Sequence, residues 1–95
     1  CDAIVTPAPG QLTFPILARL AGPGLAVADE EALRAMAAAF ARLKIVGEPG
    51  GSVALAAALF QPEATSADTV IAVVSGGNVD AAMFIRALER QAKGP

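Results

Sequence analysis

Two short strings carry most of the chemistry open to this chain. Val73-Val74-Ser75-Gly76-Gly77-Asn78 brings an apolar run to an abrupt halt at a hydroxyl, two glycines and an amide. A buried strand ends this way where its carboxyl edge meets a ligand, and such crevices are where open α/β sheets hold small molecules. Ser75 can donate or accept a hydrogen bond beyond that edge. Gly76 and Gly77 admit positive φ and let another group approach the backbone closely. The plainer alternative is that Ser75, Gly76 and Gly77 only turn a strand into a helix, with Asn78 as its N-cap. The second string is Glu48-Pro49-Gly50-Gly51-Ser52. It sets a lone carboxylate between an expected strand, Lys44-Ile45-Val46, and the least polar helix of the chain. A carboxylate there is costly unless paired or hydrogen-bonded; its plainer alternative is a surface group at a helix N-terminus.

Other chemistries lack their parts. A nucleophilic Ser75 would need a base within hydrogen-bond reach, yet the sequence holds no His, and nothing brings Lys44 or Lys93 near it. With Cys1 the lone cysteine, no intrachain disulfide and no metal-ligand constellation is expected. A net charge of −2 without a basic run gives no electrostatic reason for nucleic acid or an anionic membrane as partner. The uncharged run Pro49 to Pro62 is broken by glycine and proline and is shorter than the roughly 18–20 residues a spanning helix needs.

A chain of 95 residues is at most one small domain, and domains of that size bury only about two-thirds of the surface that their unfolded chains expose. Yet 55% of the residues are apolar and 17% charged, against about 45–50% and 25% in ordinary domains. Much of this surface is therefore expected to lie against something else, or the chain is a piece of a larger domain. No initiator Met, basic n-region or signal-like h-region opens the sequence, which reads as starting mid-protein.

The elements that must position the two strings follow from pattern. Ala3-Ile4-Val5 reads as a strand end entering a Pro-Ala-Pro-Gly turn. Thr13 to Leu20 predicts a short helix, with Pro15 in its first turn and Ile16, Leu17 and Leu20 on one face. Leu25-Ala26-Val27 is a brief strand. Asp29, Glu30 and Glu31 suit the positive end of a helix dipole, and Leu33, Met36, Ala37, Phe40 and Leu43 stripe a helix running to about Arg42, with Met36 and Phe40 as core. Gly50 to Phe60 predicts a helix enclosed on every side. Gln61 to Asp68 is a loop, and Thr69 to Val74 a strand covered on both sides. Asn78 to Ala92 closes the series as a helix with Ala81, Phe84, Ile85 and Leu88 inward and Arg86, Glu89, Arg90 and Lys93 outward. Strands alternating with helices give an α/β chain. So few strands make only a partial open three-layer sheet, whose remainder must come from sequence absent here or from a partner.

In this order, the strings CDAIVT, LTFPI, VADEEALRAM, ARLKIVGEPGGSVALAAAL and VIAVVSGGNVD resemble the carboxy-terminal part of the pyridoxal-phosphate enzymes of fold type II (tryptophan synthase β-like), in the threonine/serine dehydratase and serine racemase branch. The pairing of Glu-Pro-Gly-Gly with Ser-Gly-Gly-Asn is far more specific than either string alone. The resemblance implies that residues 1–95 are an incomplete carboxy-terminal part of the catalytic large domain of a cytoplasmic, homodimeric enzyme. It implies that Ser75 hydrogen-bonds the pyridine nitrogen of pyridoxal 5'-phosphate, with Gly76 beside it, and that Glu48 is the carboxylate near the ring. It places Ala3 where the family often has a glycine that leaves room beside the cofactor. Ala28 departs from the usual Ser or Thr, so Asp29 is expected to cap its helix instead.

The implied activity is conversion of a β-hydroxy amino acid to a 2-oxo acid and ammonia, the parent acting as an ammonia-lyase. A serine racemase-type enzyme, or a non-catalytic binding module that kept the fold segment, are the alternatives. The family's lysine, in its Ser-Phe-Lys motif, its Gly-rich phosphate loop and its metal-binding acidic residues have no counterpart here. This stretch is therefore expected to be inactive by itself, to contribute no catalytic residue of its own, and to depend on the remainder of the parent polypeptide and its amino-acid substrate.

Overall fold

The computed structural model describes residues 2–92. Among them, helices α1 (Thr13–Leu20), α2 (Asp29–Leu43), α3 (Val53–Phe60) and α4 (Ala81–Ala92) follow in chain order, with 3-10 turns at Asp2–Ile4 and Gly50–Ser52. The strand end expected at Ala3 to Val5 is thus a helical turn over its first residues.

Helix α2 is the centre of the packing. Its first turn carries Asp29, Glu30 and Glu31, where the helix dipole favours negative charge. Ala28 stands at the N-cap in extended geometry, and its N–H donates to Glu31 Oε1 at 2.8 Å. That is half of a capping box, because alanine has no side-chain acceptor for the reciprocal bond. Asp29, the expected cap, is instead the first helical residue. The other end stops at Lys44, whose φ of 60° and ψ of 35° are left-handed, while its Nζ donates to Ala41 O at 2.9 Å.

Ala32, Leu33, Ala35, Met36, Ala37 and Ala39 of α2 are buried. Leu33 and Met36 meet Ala87, Val79, Met83 and Phe84. So many alanines let helices approach closely, and burying Met36 in full contributes about 1.5–3 kcal/mol. Phe40 sits at the rim rather than in the core, 37% exposed, with its ring edge-on to Phe84 at 5.2 Å between centroids. Arg34 lies over the Phe60 ring at 4.3 Å and ties α2 to the end of α3. Arg90 and Glu30 pair at 3.0 Å, but both are well exposed, so that pair contributes little.

Three expectations about the later elements change. Helix α3 buries Ala56 and Ala57 but leaves Ala54 and Leu59 exposed; the described residues enclose it on one side only. Helix α4 starts at Ala81, not Asn78. Asp80 takes the capping role, its Oδ1 accepting the Met83 N–H at 2.7 Å, so Asn78 stays in the loop. The inward face of α4 is Met83, Phe84, Ala87 and Leu88, while Ala81 and Ile85 are exposed. Lys93 lies outside the described residues.

The runs expected as strands, Leu25 to Val27, Lys44 to Val46 and Thr69 to Val74, are neither helix nor strand, and no sheet forms among the described residues. A strand exists through the ladder it shares with a neighbour. The third run keeps a strand's period nonetheless. Ala72, Val74 and Gly76 are half-buried, while Ile71, Val73 and Ser75 are exposed, the alternation of a pleated segment covered on one face. Cover on both faces, as expected from sequence, is not present among the described residues.

Candidate functional site

The loop after Val46 and the loop after Val74 meet face to face. The Glu48 N–H donates to Gly76 O at 2.9 Å, and the Ser75 N–H donates to Gly51 O at 3.1 Å. Glycine permits the approach. A Cβ on Gly51 would stand 2.6 Å from Gly76 O and 2.7 Å from Gly76 N, and one on Gly77 would run into Val46 O. Both obstacles are backbone, which cannot rotate aside. A Cβ on Gly47 would instead meet Ser52 Oγ at 2.5 Å.

Glu48 folds its carboxylate over the bare Gly76 peptide, such that a Cβ there would lie 2.9 Å from Oε1. Beside it opens a cleft of ≈ 300 Å³ whose walls include Ala3, Glu48, Gly50, Asn78 and Asp80. Of the residues singled out from sequence, Ala3 and Glu48 therefore share one cleft, with Gly76 directly under the Glu48 carboxylate. Ser75 lies one peptide further along, outside that lining, on the exposed face that it shares with Ile71 and Val73. Its hydroxyl is not packed inward.

The two strings thus bring three features to one edge. An exposed hydroxyl ends the run, the glycine peptides that follow carry no side chain to obstruct a ring, and a carboxylate is held at the cleft beside them. Among the described residues, no group of three His, Cys, Asp or Glu side chains is placed to hold a metal ion, and no helix is long and apolar enough to cross a membrane.

Sequence reading missed the parts played by Asn78, Asp80, Gly51 and Ser52. Asn78 and Asp80 reach the cleft because α4 begins later than expected. Ser52 is completely buried and its Oγ has no hydrogen-bond partner among the described residues, which costs about 1–3 kcal/mol for an orphaned group. The signal that could have found Gly51 and Ser52 was the repetition of Gly-Gly in both strings, since two backbones in contact need side-chain-free residues on both sides.

A family model described as pyridoxal-phosphate dependent enzyme matches residues 1–76. The chain is 35% identical over 89 residues to an L-threonine ammonia-lyase of Geobacter sulfurreducens, covering 94% of this chain and 22% of the relative. It is 38% identical over 71 residues to a serine racemase of Schizosaccharomyces pombe, covering 75% of this chain and 22% of that protein. To an L-threo-3-hydroxyaspartate ammonia-lyase of Saccharomyces cerevisiae it is 31% identical, over 90% of this chain and 26% of the relative. The chain thus spans about a quarter or less of the curated relatives it matches. No solved structure matches it significantly.

Proposed function

The chain belongs to the pyridoxal-phosphate-dependent enzymes, and from that premise we propose that it forms one wall of the cofactor pocket in an ammonia-lyase acting on a β-hydroxy amino acid. The product would be a 2-oxo acid, with release of the ammonia that the names of the ammonia-lyase relatives carry. What supports the reading most is the meeting of the two strings, which sets Glu48 and Ser75 on neighbouring peptides of one edge through the bonds between Glu48 and Gly76 and between Ser75 and Gly51.

Pyridoxal phosphate, when bound, supplies the electron sink for chemistry at the substrate α-carbon. Ser75 would offer the pyridine nitrogen a neutral hydroxyl. Unlike a carboxylate, that group would hydrogen-bond the nitrogen without holding it protonated, leaving a weaker sink of the kind that suits elimination. Gly76 would keep the adjoining backbone open to the cofactor. Glu48 would help to orient it from the cleft side, and a side chain larger than that of Ala3 would crowd it. The run Thr69 to Val74, one face uncovered, would join a partial open three-layer sheet completed by the rest of the parent polypeptide. A homodimeric, cytoplasmic parent belongs to the same reading.

Ser75→Ala in the complete polypeptide is expected to lower kcat by about tenfold or more, the loss of one hydrogen bond to a reacting system, with the melting temperature nearly unchanged. Unaltered kinetics with a lower melting temperature would return Ser75 to the role of a turn residue. The similarity to serine racemases favours a second reading, in which the same wall serves a racemase. Chiral analysis of residual serine, alongside assay of 2-oxo acid, separates the two.

A further inference from the structure

We propose that Gly51 is a positioning residue, the member of a backbone clamp that fixes where Glu48 and Ser75 stand relative to each other. The proposal rests on the cofactor reading for its functional consequence and on geometry alone for the clamp itself. Two hydrogen bonds join the strings, from Glu48 N–H to Gly76 O at 2.9 Å and from Ser75 N–H to Gly51 O at 3.1 Å. Each clamps a residue assigned to the pocket by its own main chain, leaving both side chains free for ligand. The bonds can form only while the Gly51 and Gly76 peptides touch. A Cβ on Gly51 would fall within 2.7 Å of both Gly76 N and Gly76 O, closer than real Cβ contacts come.

Two other glycines differ: Gly50 has only side-chain neighbours from Ala3 and Ile4, at 3.4 Å or more, and Gly22 has nothing within 4 Å. Gly51 is buried as well, so its peptide has little room to swing outward and relieve a methyl group. A single added carbon at this position therefore parts the two loops, opens both hydrogen bonds and shifts Ser75 away from Glu48, without altering either functional side chain.

The test uses the full-length polypeptide that carries this segment, with and without pyridoxal phosphate, and reads two signals: residue-level amide hydrogen exchange and emission of the bound cofactor. In the unsubstituted protein the Glu48 and Ser75 amides are expected to exchange slowly and together. Gly51→Ala is expected to speed both by about tenfold or more, the factor for one lost hydrogen bond, and to change the cofactor emission. Gly22→Ala should leave both signals unmoved. Ala39→Gly, in the buried stretch of α2, should lower the melting temperature while the emission stays as it was; a Gly51→Ala variant that behaved the same way would make Gly51 merely structural and overturn its positioning role. Protection persisting at either amide in Gly51→Ala overturns the clamp. So does rapid exchange of either amide in the unsubstituted protein, a result that decides the matter even if Gly51→Ala fails to fold. If Ser75→Ala leaves the emission unchanged, the cofactor reading falls, and the amide exchange alone then judges the clamp.

Discussion

Helices α1 and α4 carry similar apolar faces, Ile16, Leu17 and Leu20 in one and Met83, Phe84 and Ala87 in the other, and their surroundings could hardly differ more. Every residue of α1 is exposed, Leu20 to 71%, whereas α4 lays its face on Leu33 and Met36 of α2. Amphipathic pattern sets which side of a helix seeks cover; it does not supply the cover. Helices α2, α3 and α4 find theirs within these residues. Helix α1, the far side of α3 and the Ile71–Val73 face find none among the described residues, and the relatives are four to five times as long as the matched stretch.

Met36→Ala attacks the closed region directly and gives the largest expected effect, about 2–5 kcal/mol of lost stability for truncating a fully buried side chain. The matching change in the open region, Leu17→Ala, should stay within about 0.5 kcal/mol in the 95-residue chain and cost several times more in the full-length polypeptide. Equal costs in both contexts, read from denaturant midpoints, would mean that α1 is a surface helix in its own right.

Next comes Gly47→Ala, which forces a methyl group to within 2.5 Å of buried Ser52 Oγ and should cost about 1–3 kcal/mol. Here the obstacle is a side chain, so adding Ser52→Ala should restore most of the loss. It also deletes an unpartnered hydroxyl. A double-mutant cycle with additive energies would show that the two residues do not press on each other. Asp80→Ala removes the one side-chain cap seen on α4 and should cost about 1 kcal/mol. Helix α1 has no side-chain cap at Leu12, so Leu12→Ala should leave the melting temperature where it was.

Local order was legible in the sequence where local forces set it. Helix α1 has the predicted bounds, and α2 ends one residue past Arg42, because Pro15, the acidic first turn and the apolar stripe act within a turn or two of chain. Helix α4 was misplaced by competition between neighbouring caps. Asn78 and Asp80 are both good N-caps, and Asp80 places its carboxylate on the Met83 amide just where Met83 can turn inward. Phe40 and Ile85 were read as core from periodicity, yet exposure at the edges of a stripe depends on the crossing of two helices, which no single helix encodes. The strands expected at Leu25 to Val27, Lys44 to Val46 and Thr69 to Val74 do not form among the described residues, because a ladder needs a partner that the pattern of one run does not specify. At the site, Glu48, Gly76 and Ala3 were legible as pieces of two strings, while the contact between Gly51 and Gly76 appears only once the loops are laid together.

The uncovered face beside Ser75 carries a liability for anyone handling these residues in isolation. Thr69-Val70-Ile71-Ala72-Val73-Val74 has no charge, no proline and no glycine, and its Ile71 and Val73 side chains are 86% and 66% exposed. Six-residue stretches of that composition stack readily into cross-β fibrils when left uncapped. Thioflavin-positive fibres growing from the short chain, and not from a longer polypeptide that covers this face, would be the material expression of an apolar run pairing with copies of itself.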